Sequence, residues 1–119
     1  MIGSRRTIVI ENCCNVEIED IIMIEPPCWM ILIAGCKRVH INRVKQIGEV
    51  VASDGIDLVG SSDVLIENCI LRNNDDCVVI KGFEHIDIEK GDIFRGNKNV
   101  DNVLVRGCTF VNAQAGNAI

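Results

Sequence analysis

Residues 53–82 read SDGIDLVGSSDVLIENCILRNNDDCVVIKG, and the run Val64-Leu65-Ile66-Glu67-Asn68-Cys69 at its centre decides the fold. Branched apolar residues fall at every second position, which is the period of a β-strand. The same run recurs as Val16-Glu17-Ile18-Glu19-Asp20-Ile21, Val39-His40-Ile41-Asn42-Arg43-Val44 and Val103-Leu104-Val105-Arg106-Gly107-Cys108, with leading valines 23, 25 and 39 residues apart. One such unit is too short to bury its own apolar face, so the units must stack on one another. The expected architecture is all-β: a right-handed parallel β-helix of about four to five coils, with strands about 4.8 Å apart along the axis.

The 39-residue step exceeds one coil, and the excess falls in residues 82–99, GFEHIDIEKGDIFRGNKN. The chain therefore reads as a single partial β-helix domain over 1–119 with an inserted loop at 82–99. Gly and charged residues suit a surface excursion, with room for a short strand at Ile86 to Ile88. Loops of this length on a solenoid commonly wall a groove. Asn12 and Asn68 each precede a cysteine, where asparagine accepts a left-handed turn and its amide suits a hydrogen-bonded column at the corners. Glu11 and Glu67 alternate outward and read as solvated.

Composition narrows the function. The 119 residues are 48% apolar, enough for one core, and carry a net charge of −5. Like-charge repulsion argues against nucleic acid and anionic membranes. No apolar run approaches the roughly 20 residues of a membrane helix. Seven cysteines include no CxxC pair, and His40 and His85 lie far from any cysteine cluster, so neither a metal nor another cofactor is implied. Cys69 and Cys108 share a repeat position and read as stacked core residues. Free thiols lean toward a reducing compartment, the cytoplasm.

The register also aligns acids. A shift of 25 carries Trp29 to Asp54, a shift of 22 carries Asp54 to Asp76, and a shift of 39 carries Asp76 to Ala115. The expected column is Trp29, Asp54, Asp76 and Ala115, with Asp75 beside it. An Asp-Gly or Asp-Asp pair alone is an ordinary turn or a solvated corner. Carboxylates stacked on adjacent strands, about 5 Å apart, repel one another unless a proton, a cation or a function compensates. Acid clusters of this kind perform glycosidic hydrolysis.

At these residues the chain resembles glycoside hydrolase family twenty-eight, the polygalacturonases and related pectin-degrading enzymes built on right-handed β-helices. Ala52-Ser53-Asp54-Gly55-Ile56-Asp57 is similar to that family's Asn-Thr-Asp-Gly-Ile-Asp, and Asn74-Asp75-Asp76-Cys77 to its Gly-Asp-Asp-Cys. Glu25-Pro26-Pro27-Cys28-Trp29 resembles its Ser-Pro-x-Trp, and Arg6-Thr7-Ile8-Val9-Ile10-Glu11 its Arg-Pro-x-x-Ile strand. The resemblance implies Asp54, Asp75 and Asp76 as catalytic residues. Asp75 would be the general acid, and Asp54 and Asp76 would position and deprotonate a water, with inversion at the anomeric carbon and about 6.5–9.5 Å between acid and base. Trp29 and Lys81 are the candidates for substrate binding.

The departures are Ala52, Ser53 and Asn74 for the family's Asn, Thr and Gly. Gln114-Ala115-Gly116 stands where the family has Gly-His-Gly, so the histidine that assists the acids is missing. The family's Arg-x-Lys, which grips a substrate carboxylate, would lie beyond Ile119. The chain thus reads as an excised piece, expected to be catalytically dead by itself, with exposed coil ends that favour self-association. The resemblance leans toward a secreted or periplasmic setting and a polysaccharide or oligosaccharide partner. Two other readings stay open. One is a noncatalytic β-helix module that binds carbohydrate or scaffolds an assembly, against which few aromatics argue: one Trp, three Phe and no Tyr. The other is a calcium-dependent polysaccharide lyase, with Lys81 and Arg72 as its nearby bases.

Overall fold

The computed structural model describes residues 6–85 and 94–119. The first coil holds β1 (Ile8–Glu11), β2 (Cys14–Glu19) and β3 (Ile22–Ile24). The second holds β4 (Ile31–Ala34), β5 (Lys37–Asn42) and β6 (Lys45–Ile47), and the third β7 (Ile56–Val59), β8 (Ser62–Glu67) and β9 (Ile70–Asn73). The fourth begins with β10 (Val78–Lys81). It is interrupted by β11 (Glu84–His85) and β12 (Phe94–Arg95), then resumes with β13 (Asp101–Arg106) and β14 (Thr109–Asn112). Equivalent strands pair in parallel into three four-stranded sheets, β1-β4-β7-β10, β2-β5-β8-β13 and β3-β6-β9-β14. This is a parallel β-helix of about four coils, as the repeat predicts.

The valine register is the one read from the sequence: Val16 opposes Val39, Val39 opposes Val64, and Val64 opposes Val103. Alternation sends one side of every strand into the axis. Ile31, Ile33, Ile41, Ile56, Leu58, Ile66 and Leu71 are fully buried there, each contributing about 1.5–3 kcal/mol of apolar transfer. All seven cysteines are free, and four are buried. Cys69 and Cys108 stack as expected, with the Cys69 amide donating to Cys108 Sγ at 3.4 Å. Burial pushes the Cys69 thiol up to about 11.

Corners are made by left-handed residues that line up from coil to coil. Asn12, Gly35 and Gly60 turn the chain from the first sheet to the second, and Asp20, Arg43, Asn68 and Gly107 from the second to the third. Asn12 and Asn68 are both left-handed, but they stand at different corners and do not share a column. The amide ladder at the second corner runs instead from Asn68 Nδ2 to Asn42 Oδ1, 3.2 Å. Arg43 reaches back along its column to Asp20 (Nε to Oδ1 2.6 Å), and Arg38 makes the same move to Asn15. Glu67 is less solvated than its alternation implies. It accepts from Arg106 Nε at 2.7 Å and lies 2.9 Å from His40 Nε2, and these partners hold its carboxyl below the usual range.

In the sheet β1-β4-β7-β10 the two inner strands, β4 and β7, are buried on both faces. Leu32, Ala34 and Val59 on its outer side form a second apolar cluster, with Val9 and Trp29 packed on it. The inserted loop contributes the antiparallel pair β11-β12, with Glu84 opposite Arg95, and its flanks return to this sheet. A Cβ on Gly60 would meet the Phe83 carbonyl and the Lys98 side chain, and one on Gly35 would meet Lys98 Nζ. The expected strand at Ile86 to Ile88 lies outside the described residues.

Candidate active site

The acids occupy the turns that lead into β7 and β10. Strand register places Trp29, Asp54 and Asp76 on successive coils, because Ile31 opposes Ile56 and Val78 opposes Ile56. The main chain runs through the turns in the same way: the Met30 amide donates to the Asp54 carbonyl (2.9 Å) and the Gly55 amide to the Asp76 carbonyl (2.9 Å).

The last member of the column differs from expectation. The Cys77 and Val78 amides donate to the carbonyls of Asn117 and Ala118, so the residue over Asp76 is Asn117, two places beyond Ala115. A constant 39-residue shift from β8 to β13 does not carry through, since the final coil adds two residues before it returns to the first sheet. Asn117 donates to Asp76 Oδ1 from its amide (2.6 Å) and from Nδ2 (3.2 Å). Gly116 is left-handed and lies directly on the Asp75-Asp76 peptide, where a Cβ would collide with main-chain atoms. Ala115, expected to cap the acids, is displaced from the column.

Buried polar side chains hold these turns. Asn73, fully buried, donates from Nδ2 to the Ser53 carbonyl at 2.9 Å, and Ser53 Oγ accepts from the Asn74 amide at 3.1 Å. Gln46, also fully buried, donates to the Gly55 carbonyl at 3.2 Å. Asn74 Nδ2 donates to the Glu49 carbonyl. Ser53 and Asn74, two of the departures from the family pattern, thus tie the Asp54 turn to the Asp75-Asp76 turn. Gly55 is required by space: a Cβ there would run into the Cys77 carbonyl and Gln46 Oε1.

Asp54 is only 6% exposed. Burial, then the charge of Asp75, push its carboxyl up to about 6; Lys81 opposes that rise and Asp76 adds to it. Asp75 Oδ1 accepts from the Asp76 amide at 3.1 Å. Beside the acids, Lys81 Nζ lies 2.6 Å from Asp57 Oδ1, 3.9 Å from Asp54 Oδ2 and 3.5 Å from the centroid of the Trp29 ring. The Arg6 guanidinium also lies on that ring, 4.3 Å from its centroid. Trp29 is neither a core residue nor a bare apolar platform: it is half-buried and engaged by two cations.

Asp57 is the residue that sequence reasoning passed over. It is fully buried, its Oδ2 has no hydrogen-bond partner among the described residues, and burial raises its carboxyl to about 7 in spite of Lys81. The available signal was a charged residue at an outward position of an otherwise apolar strand, Ile56 to Val59, two steps from the acid column. Asn73 and Gln46 gave no comparable signal, since polar residues at inward positions look like turns.

The chain was compared with known proteins. Its residues 4–119 match the profile of Glycosyl hydrolases family 28. A probable polygalacturonase of Arabidopsis thaliana is 30% identical over 125 residues, covering 91% of this chain and 27% of that protein. A second probable polygalacturonase of the same plant is 27% identical over 89 residues, covering 72% of this chain and 20% of its own length. The chain thus spans about a quarter or less of these curated relatives. No solved structure gives a significant match. A profile matching nearly every residue, on a parallel β-helix whose register gathers Asp54, Asp75 and Asp76, shows that the chain belongs to Glycosyl hydrolases family 28.

Proposed function

We propose that this chain is the acid-bearing part of a polygalacturonase-like hydrolase that cleaves glycosidic bonds in a pectic polysaccharide with inversion. The observation that carries this reading is the convergence of Asp54, Asp75 and Asp76 at the ends of two adjacent strands, with Asp54 nearly buried. Asp75 gives its carboxyl proton to the leaving glycosidic oxygen as the bond to the anomeric carbon breaks. A water attacks that carbon from the opposite side, and its proton passes to Asp54 or Asp76. Trp29 and Lys81 border the acids where the sugar would sit. Interacting carboxylates titrate as a group, and an ionised base at Asp54 becomes available only as pH rises through about 6.

The test is reducing-end release from pectic and neutral polysaccharides by the full-length protein that contains this chain, with product anomers followed by NMR. Replacing Asp75 by Asn is expected to lower turnover about 10²–10⁴-fold, with a much smaller loss on an aryl glycoside whose leaving group needs no proton. Wild-type rates in Asp75→Asn, or retention of configuration, would refute the assignment.

A further inference from the structure

We propose that Lys81 is a positioning residue for the reaction: clamped by Asp57 and the Trp29 ring, its ammonium is held against Asp54 and keeps that buried carboxyl available as an ionised base. This rests on the hydrolase reading above and goes beyond any contact Lys81 makes with substrate.

The geometry is a three-point clamp. Lys81 leaves the last residue of β10, and its stem crosses toward β7. Nζ then meets Asp57 Oδ1 at 2.6 Å, the Trp29 centroid at 3.5 Å and Asp54 Oδ2 at 3.9 Å. Its side chain is largely shielded from solvent, and Asp57 and Asp54 are nearly or fully buried. In such surroundings a charge acts over a few ångströms with little screening.

Asp57 serves as the anchor. Among the described residues its second oxygen, Oδ2, is buried and without a partner, and the side-chain donor that Asp57 meets is Lys81. A carboxylate placed only to satisfy its own strand would not be left with one oxygen unsatisfied in this way. The arrangement makes sense if what it fixes is the cation.

The charged groups around Asp54 come from each element packed on it. Asp75 and Asp76 precede β10, Asp57 lies on β7, Lys81 ends β10, and Arg6 approaches through Trp29. Two of the neighbouring acids oppose ionisation of Asp54, and burial opposes it more strongly. Lys81 is the cation that favours it. A water's proton can be taken by Asp54 only when that carboxyl is charged, so the clamp sets the lower edge of the working pH range.

The experiment follows the side-chain carboxyl carbons of the isotopically labelled chain by NMR from about pH 3 to pH 9, with Asp54→Asn used for assignment. Asp54 is expected to titrate near 6 in the unsubstituted chain. In Lys81→Met its midpoint should rise by about one pH unit or more, and in Lys81→Arg it should return to within about half a unit, since the guanidinium restores the charge. Should Lys81→Met fail to fold, Lys81→Gln supplies the independent arm: its amide can still donate to Asp57 but carries no charge, so the Asp54 midpoint should again rise.

An Asp54 midpoint that ignores Lys81→Met, or that ignores Lys81→Gln where Lys81→Met does not fold, overturns the proposal. In the full-length protein the acid limb of kcat/KM should move with the NMR midpoint and be restored in Lys81→Arg. An acid limb that stays in place while Asp54 shifts overturns the role in catalysis. Coupled titration in a protein that turns over no glycan supports the clamp and refutes the hydrolase reading alone.

Discussion

At the scale of single residues, the buried acids should make this molecule more stable in mild acid than at neutral pH. Asp57 titrates near 7 and Asp54 near 6 when folded, both above the ordinary 3.8. The folded state therefore binds more protons than the unfolded chain between about pH 4 and 7, and stability falls as pH rises through that window. For Asp57 the effect is at most about 4 kcal/mol. Asp20 and Glu67 have lowered values and act in the opposite sense, losing their contribution as pH drops below their unfolded range. Denaturation midpoints measured from pH 3 to 8 should peak at about pH 4–5, and Asp57→Asn should flatten the decline above that peak. A second expectation concerns Gly55, whose missing Cβ makes room for the Cys77 carbonyl. Gly55→Ala should cost about 1–3 kcal/mol in urea denaturation. Asp54 and Asp76 in the column, and Asp75 beside it, were legible from motif and register alone. Asp57 was not, because its meaning depends on Lys81, 24 residues away in sequence and 2.6 Å away in space.

At the scale of elements, strand positions follow from alternation with little ambiguity, since a slip of one residue would turn every buried isoleucine outward. Ile66, at the centre of β8 and fully buried, illustrates the consequence. Ile66→Ala should destabilise the chain by about 2–5 kcal/mol. Arg43→Ala, which removes an exposed corner pair with Asp20, should change it far less, because water and salt screen an exposed pair. Paired urea titrations of the two variants give the comparison, and an Arg43→Ala loss as large as that of Ile66→Ala would contradict it. Coil length is where pattern reading reached its limit. The 23- and 25-residue steps hold through every sheet, and the 39-residue step holds for β8 against β13. It fails at Asp76, where Asn117 rather than Ala115 completes the column, because the turn after β14 is two residues longer than the turn after β9 and no hydrophobic repeat marks it.

At the scale of the whole molecule, each sheet ends, among the described residues, in strands without a further neighbour in its ordering: β1, β2 and β3 at one end, and β10, β13 and β14 at the other, with residues 117 and 118 lying over the start of β10. Unpaired strand edges invite other strands, so the isolated chain is expected to form concentration-dependent oligomers. Sedimentation velocity between about 5 and 200 μM would show this, and a monomer throughout would contradict it. The inserted segment has a different consequence. Its two ends are joined at a neck, Glu84–His85 against Phe94–Arg95, while β13 beyond it rejoins β8 in unbroken register. The register of β13 on β8 is therefore kept on the far side of the neck. The solenoid thus has a grafting site, where a foreign peptide could be displayed without altering the pitch on which the acids depend.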